Sequence, residues 1–324
     1  MSSLYIDRRD VELRLDSGAI AIYENEERVG TIPLAPIDRV LIRGNALIRV
    51  NLLAELGKKG VGVVFLSGRK AEPTLLMPTP HNDAQRRVAQ YDKSQDKSFC
   101  FKFAKCLVEA KIQAQLELLE QECVNRPIFR YEIRSQINKI KELQRSIGDY
   151  ANIASLRGLE GKVSAEYFAS FATFLPISLC FKGRNRRPPR DPFNAVLSLG
   201  YTLLHADAVT SLYAAGLDPY IGFYHTLDFA RQSLACDFVE PFRPLIDRFA
   251  IDCFKNKTLR PEGFSMTDQG CLMNKQTRID FYLLYEEIAE TLRKKLSNCA
   301  YDLVHVLVPH CNEEFISIDK TNEL

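Results

Sequence analysis

Residues 216–244 read GLDPYIGFYHTLDFARQSLACDFVEPFRP, and the rest of the chain arranges itself around them. Gly216 ends a long apolar segment, and the approach Ile221-Gly222-Phe223-Tyr224 leads to His225. Asp237 and Glu240 follow, three residues apart in a run with helical patterning that is closed by Pro241-Phe242-Arg243-Pro244. Upstream, Leu156, Leu159, Val163, Tyr167 and Phe171 recur at threes and fours, which predicts a helix over 153–175. Glu160 sits at the edge of that stripe and Gly161 comes directly after it. A carboxylate there is costly unless it is paired, hydrogen-bonded or bound to metal. A glycine inside a helix costs about 1 kcal/mol relative to alanine, so this one is expected where something approaches the backbone beside the glutamate. An imidazole with several carboxylates is a hard, mostly oxygen-donor set suited to Mg²⁺ or Mn²⁺. Phosphodiester chemistry commonly uses such a set, because the ion neutralises charge on phosphoryl oxygens.

Between these stretches lies Phe181–Asp191, FKGRNRRPPRD. Lys182, Arg184, Arg186, Arg187 and Arg190 give it a density of positive charge that nearby acids do not balance. Such groups supply most sequence-independent affinity for nucleic acid. Asp191 followed by Pro192 is an N-cap with proline at the first helical position, predicting a helix to Ala215. Asn194 near its start either faces the site or caps, and His205 and Asp207 read as satisfied mid-helix polar groups. Phe99, Phe103, Leu107, Ala110 and Ala114 mark a helix from Lys97 to about Cys123, and 131–147 mark another; neither carries a chemical motif.

The first quarter reads as β. Ser3–Asp7, Val11–Leu15, Ala19–Tyr23, Arg28–Pro33 and Asp38–Arg43 are short runs separated by turn chemistry, as expected of successive hairpins. Val50–Lys58 reads as a short helix, and the continuous apolar run Val61–Leu66 as a strand covered on both faces. Pro73, Pro78 and Pro80 break periodicity before a connecting helix near 85–91. Beyond Pro244 come a helix, an irregular stretch over 264–279 that turns helical, and an amphipathic helix over 281–295. His305, His310, Cys311, Glu313 and Glu314 have a spacing that fits no metal arrangement, and 319–324 read as a frayed end.

Composition excludes some classes. No apolar run approaches the ~18 residues of a membrane span. The start MSSLYIDRRDVELRL lacks the apolar core of a secretory signal. Nine cysteines without a C-x-x-C pair, set mostly in apolar runs such as those around Cys106 and Cys253, read as buried free thiols of a reducing compartment, the cytoplasm. A net charge of +2 neither suggests nor excludes DNA, since a balanced total can hide a basic face.

Together, LRGLEGKVSAEYF, GRNRRPPRDPFNAVLSLGYTLL, GLDPYIGFYH and LACDFVEPFRP, in this order and spacing, resemble the CRISPR-associated endonuclease/integrase family, that of the first-numbered Cas protein. The resemblance covers essentially the whole chain. It implies an α+β architecture, with a small β-rich dimerisation domain over 1–80, a connecting segment over 81–96 and a larger all-α catalytic domain over 97–324. Carried over, the glutamate of the E-G motif is Glu160, the histidine ending G-F-x-H is His225 and the acid before P-F-R-P is Glu240, together the ligands of a divalent ion. Asp237 is the neighbouring helical acid, either a ligand or a support. Arg184 and Asn194 fall where the family keeps polar groups beside the site. Implied partners are double-stranded DNA, a second copy of the chain and the small second-numbered Cas protein. The expected activity is metal-dependent insertion of short duplex DNA into a repeat array by transesterification, with cleavage of branched DNA. His225 either ligates the ion or gives a proton to the leaving group. A non-catalytic DNA-binding scaffold and a general metal-dependent repair nuclease are the competing readings.

Overall fold

The computed structural model describes residues 2–66, 73–78, 81–185, 188–225 and 231–308. Pro80, Arg186, Arg187 and the tail residues from 309 onward lie outside the described residues. The first quarter holds β1 (Ser2–Asp7), β2 (Val11–Asp16), β3 (Ala19–Glu24), β4 (Glu27–Pro33), β5 (Ile37–Arg43), β6 (Ala46–Ile48), α1 (Val50–Lys58), β7 (Gly62–Leu66) and β8 (Pro73–Leu76). They form two four-stranded sheets, in the orders β1-β5-β7-β8 and β4-β3-β2-β6. The hairpins β2–β3 and β3–β4 form as their turns predict, the second through Asn25 and Glu26, both at positive φ.

The expected hairpins between β1 and β2 and between β4 and β5 do not form, since each pair of strands is divided between the two sheets. β1 instead runs parallel to β5, Ser3 opposite Arg39 through Asp7 opposite Arg43. The cause is visible in its side chains: Ile6 is buried on one face while Tyr5 stacks on Tyr282 at 4.6 Å on the other. A strand covered on both faces belongs to the layered sheet, where β1 forms one edge, whereas β2 alternates Val11 and Leu13 with outward Glu12 and Arg14. β8 is a second correction, a strand where Pro73, Pro78 and Pro80 were read only as breaking periodicity. It is an edge strand opened by Pro73, where a missing N–H costs nothing.

The layered sheet joins two cores. Val40, Ile42 and Val63 face a small core with Leu52 and Leu56 of α1, while Leu41, Val64 and Leu66 face the core of the helical body. That body comprises α2 (Gln85–Gln95), α3 (Lys97–Asn125), α4 (Arg130–Arg145), α5 (Ile153–Phe174), α6 (Pro192–Ala214), α7 (Ser233–Val239), α8 (Arg243–Lys255) and α9 (Lys275–Leu307). Architecture is therefore β-rich start, then helical body. The body is not wholly α: β9 (Phe264–Thr267) and β10 (Gly270–Met273) make a hairpin where an irregular stretch was expected. The final helix starts earlier than its apolar stripe, because Asn274 caps it by accepting the N–H of Thr277 at 2.9 Å.

Arg39 of β5 and Asp207 of α6 form a buried ion pair that ties the layered sheet to the body, with Tyr285 of α9 donating to Asp207 at 3.3 Å. No described helix is long and apolar enough to cross a membrane. Cysteines among the described residues are free, Cys253 buried as expected but Cys106 exposed.

Candidate active site

Glu160 is carried by α5, whose apolar stripe Leu156, Leu159, Val163, Tyr167 and Phe171 is buried as its periodicity predicts. Asn152 caps this helix on Ser155 N at 2.9 Å. His225 is carried by the loop between α6 and α7, and that loop is organised by Asp237. The fully buried Asp237 carboxylate accepts the backbone N–H groups of Phe223 (2.8 Å), Tyr224 (2.9 Å) and His225 (2.8 Å), and meets His225 Nδ1 at 2.6 Å. Its lone-pair positions are thereby filled, so Asp237 stands behind His225 and fixes which ring nitrogen is presented. Gly222 is required for this approach: a Cβ there would lie 2.7 Å from Ser233 C and 2.9 Å from Asp237 Oδ2.

Glu160 and Glu240 converge on Lys111 of α3. Its buried ammonium donates to Glu160 Oε1 and, at 2.6 Å, to Glu240 Oε2. The remaining oxygens are also engaged: Tyr224 OH donates to Glu160 Oε2 at 2.5 Å, and Arg243 Nε lies 3.1 Å from Glu240 Oε1. Burial alone would push the Glu240 carboxyl up. Arg243, Lys111 and His225 outweigh it and hold the group down at about 2. Burial and the negative charge of Glu160 push the Tyr224 hydroxyl far up, so it stays protonated and donates to Glu160. Arg157, one turn before Glu160, donates to Tyr224 O and sits over its ring at 5.4 Å.

A cleft of about 410 Å³ opens beside Glu240 and Lys111. Gly161, Ser164, Ala165 and Phe168 of α5 line one wall, and Lys182, Arg184, Tyr201 and Arg243 the other. At its floor Asp247 accepts from Tyr167 OH (2.8 Å) and Tyr201 OH, and burial raises its carboxyl to about 6. The basic loop is braced from two sides. Asn194, fully buried, accepts from Arg184 Nη1 (2.8 Å) and Asn185 N (3.1 Å) and donates to Gly183 O (2.9 Å) and Asp191 Oδ2 (2.6 Å). It shapes the loop from beneath and has no face toward the cleft. From the other side Cys271 N of the hairpin donates to Pro189 O at 2.7 Å, and Gly270, at φ 103°, leaves room for Pro188. Lys182 and Arg184 reach the cleft wall, and Arg190 stands exposed on the loop.

Glu160, Glu240 and His225 are thus brought to one place, with Asp237 behind the histidine. Lys111, Tyr224, Arg157 and Arg243 belong to the same constellation and were not singled out in the sequence. Lys111 had a signal, a lysine four residues after Leu107 on what proves to be the buried face of α3. Among the described residues no three His, Cys, Asp or Glu side chains form a ready metal cluster. The donor chemistry fits a divalent ion nonetheless: a cation, the Lys111 ammonium, already lies between two carboxylates, which are hard oxygen donors. Gly161 is open, since a Cβ there would meet nothing within 4 Å. Gly161→Ala is therefore expected to raise stability by about 0.5–1 kcal/mol in denaturant melts, and to weaken DNA binding. Unchanged affinity would remove the expectation that DNA approaches this backbone.

Residues 4–287 match the family profile described as CRISPR associated protein Cas1. A relative named CRISPR-associated endonuclease Cas1 1, from Thermodesulfovibrio yellowstonii, is 40% identical over 299 residues, covering 90% of this chain and 93% of the relative. Among solved structures, a casposase bound to integration product superposes with a TM-score of 0.81 at 22% identity, over 95% of this chain and 91% of that one. A chain of a Cas6-RT-Cas1–Cas2 complex gives 0.79 at 23% identity, over 95% of this chain and 35% of that one. At such identities the superpositions establish a common fold, and it is the family match and the 40% identity, spanning Glu160, His225 and Glu240 alike, that decide descent: the chain belongs to the Cas1 family.

Proposed function

We propose that this protein is a cytoplasmic, divalent-metal-dependent DNA integrase and endonuclease. It inserts short duplex DNA into a CRISPR repeat array by transesterification and cleaves branched DNA by the reverse step. The observation that carries this reading is the convergence of Glu160, Glu240 and His225 beside a cleft walled by Lys182, Arg184 and Arg243. The relative's name as an endonuclease and the casposase's fold support it. Glu160, His225 and Glu240 would hold Mg²⁺ or Mn²⁺, which when bound supplies Lewis acidity at the phosphoryl oxygen.

Lys182, Arg184 and Arg243 hold backbone phosphates without reading bases, consistent with incoming DNA of varied sequence. The 3′-hydroxyl oxygen of the incoming strand forms a bond to phosphorus as the target's P–O3′ bond breaks. The hydroxyl's proton is lost and the departing 3′-oxygen takes one up. Asp237 fixes Nδ1 of His225, so Nε2 is the nitrogen offered either to the ion or as donor to that oxygen. Residues 1–80 would form the homodimer contact, 81–96 the connection and 97–324 the catalytic part, with the small Cas2 protein as further partner, as in the solved complex of similar fold.

The test is half-site joining of a labelled short duplex to a supercoiled plasmid carrying a repeat, with Mg²⁺ or Mn²⁺, with and without Cas2. Joined product that disappears on chelation is expected. DNA binding without joining or cleavage under any condition would leave a scaffold, and faster cutting of plain linear than of branched DNA would leave a general nuclease.

A further inference from the structure

Lys111 is placed in an unusual way for a lysine. It projects from the buried face of a 29-residue helix, between Val108 and Ile112, and its ammonium is nearly sealed from solvent. The partners that make this burial tolerable are Glu160 and Glu240. Their oxygens are also those the proposed function gives to a divalent ion, and this inference rests on that reading. Two cations on one pair of carboxylates repel strongly at protein dielectric.

A second observation points to where the ammonium goes. Gln115 lies one turn further along α3, on the same face and in the same cleft as Lys111. Its Oε1 is buried and has no hydrogen-bond partner among the described residues. A buried amide oxygen without a donor is rare and costly, and residues four apart on a helix are within reach of each other. Lysine's flexible stem and three donors suit it to exchange partners.

We infer that Lys111 competes with the divalent ion for Glu160 and Glu240, and passes to Gln115 Oε1 when the ion is taken up. Lys111 is then a residue that sets the metal affinity of the site. From the second position its ammonium lies along the cleft wall, beside the phosphates that Lys182, Arg184 and Arg243 would hold.

The test measures Mn²⁺ binding to the DNA-free protein by electron paramagnetic resonance, so it does not depend on catalysis. Lys111→Met is expected to tighten Mn²⁺ at least about tenfold, the worth of one charge-assisted hydrogen bond. Lys182→Met removes a cation from the same cleft but not from the carboxylates, and should change affinity much less. Gln115→Leu should weaken Mn²⁺ binding several-fold, since the displaced ammonium then lacks its acceptor. Should Lys111→Met fold poorly, Lys111→Gln provides the same comparison, read as the rise in melting temperature on Mn²⁺ addition. Equal affinity of wild type and both Lys111 variants would overturn the competition, as would equal tightening by Lys182→Met. Wild-type affinity in Gln115→Leu would overturn the transfer to Gln115. Absence of Mn²⁺ binding in every protein would instead remove the metal site itself.

Discussion

Glu160→Gln and His225→Ala are each expected to lower DNA joining by about 10³-fold or more, equivalent to about 4 kcal/mol of barrier. Glutamine keeps the size of Glu160 and an oxygen for Tyr224 OH or for Lys111, but loses the charge that the proposed function gives to a divalent ion. Alanine at 225 removes the nitrogen that Asp237 aims at the site. Asp237→Asn should fall between these and wild type, by about 10- to 100-fold, as expected for a group that acts by orienting another. The ranking matters because a generally damaged fold would lower all three together. Rates of half-site product formation, taken alongside melting curves, separate the cases. Joining by Glu160→Gln within tenfold of wild type would mean that the reacting centre lies elsewhere.

The second large effect concerns stability. Asp207→Ala should destabilise the protein by about 3–5 kcal/mol, because it leaves Arg39 as an uncompensated buried charge. Tyr285 would lose its acceptor, and Arg293 would lose the carboxylate 3.5 Å away while keeping Glu286 at 2.8 Å. Arg39 is already incompletely served, since its Nε and Nη2 are buried without an acceptor among the described residues. The pair is therefore not itself a large source of stability, and the double change Arg39→Met with Asp207→Leu should recover most of the loss. Denaturant unfolding of the wild type and the two variants decides this. A double variant no more stable than Asp207→Ala would show that the pair contributes through more than its charges.

Much of this arrangement was legible beforehand, and the exceptions have physical causes. The stripe Leu156 to Phe171 placed Glu160 at its edge, and Asp191 with Pro192 marked the start of α6 correctly, because caps and periodicity are local signals. Pairing of β1 with β5 was not legible. It spans some thirty intervening residues and depends on Tyr5 finding Tyr282 across the whole chain. Lys111 was missed because α3 was read with Ala110 and Ala114 inside; the buried face instead passes through Val108, Lys111, Ile112 and Gln115, turned by about one residue. Asn194 was left either facing the site or capping, and only three-dimensional placement shows that it supports the loop from below. Asp237 left two roles open in the sequence. In the fold its oxygens are taken up by three backbone amides and the imidazole, an arrangement that depends on a loop ten or more residues upstream.

The sheet shared by the two cores has a consequence for how this molecule comes apart. β5 places Val40 and Ile42 in one core and Leu41 in the other, and β7 divides Val63 from Val64 in the same way. Loosening either core withdraws support from strands that also wall its neighbour. Unfolding of the N-terminal quarter and of the helical body is therefore expected as one transition, with strand and helix signals lost together in denaturant, although the chain passes from strands to helices after β8.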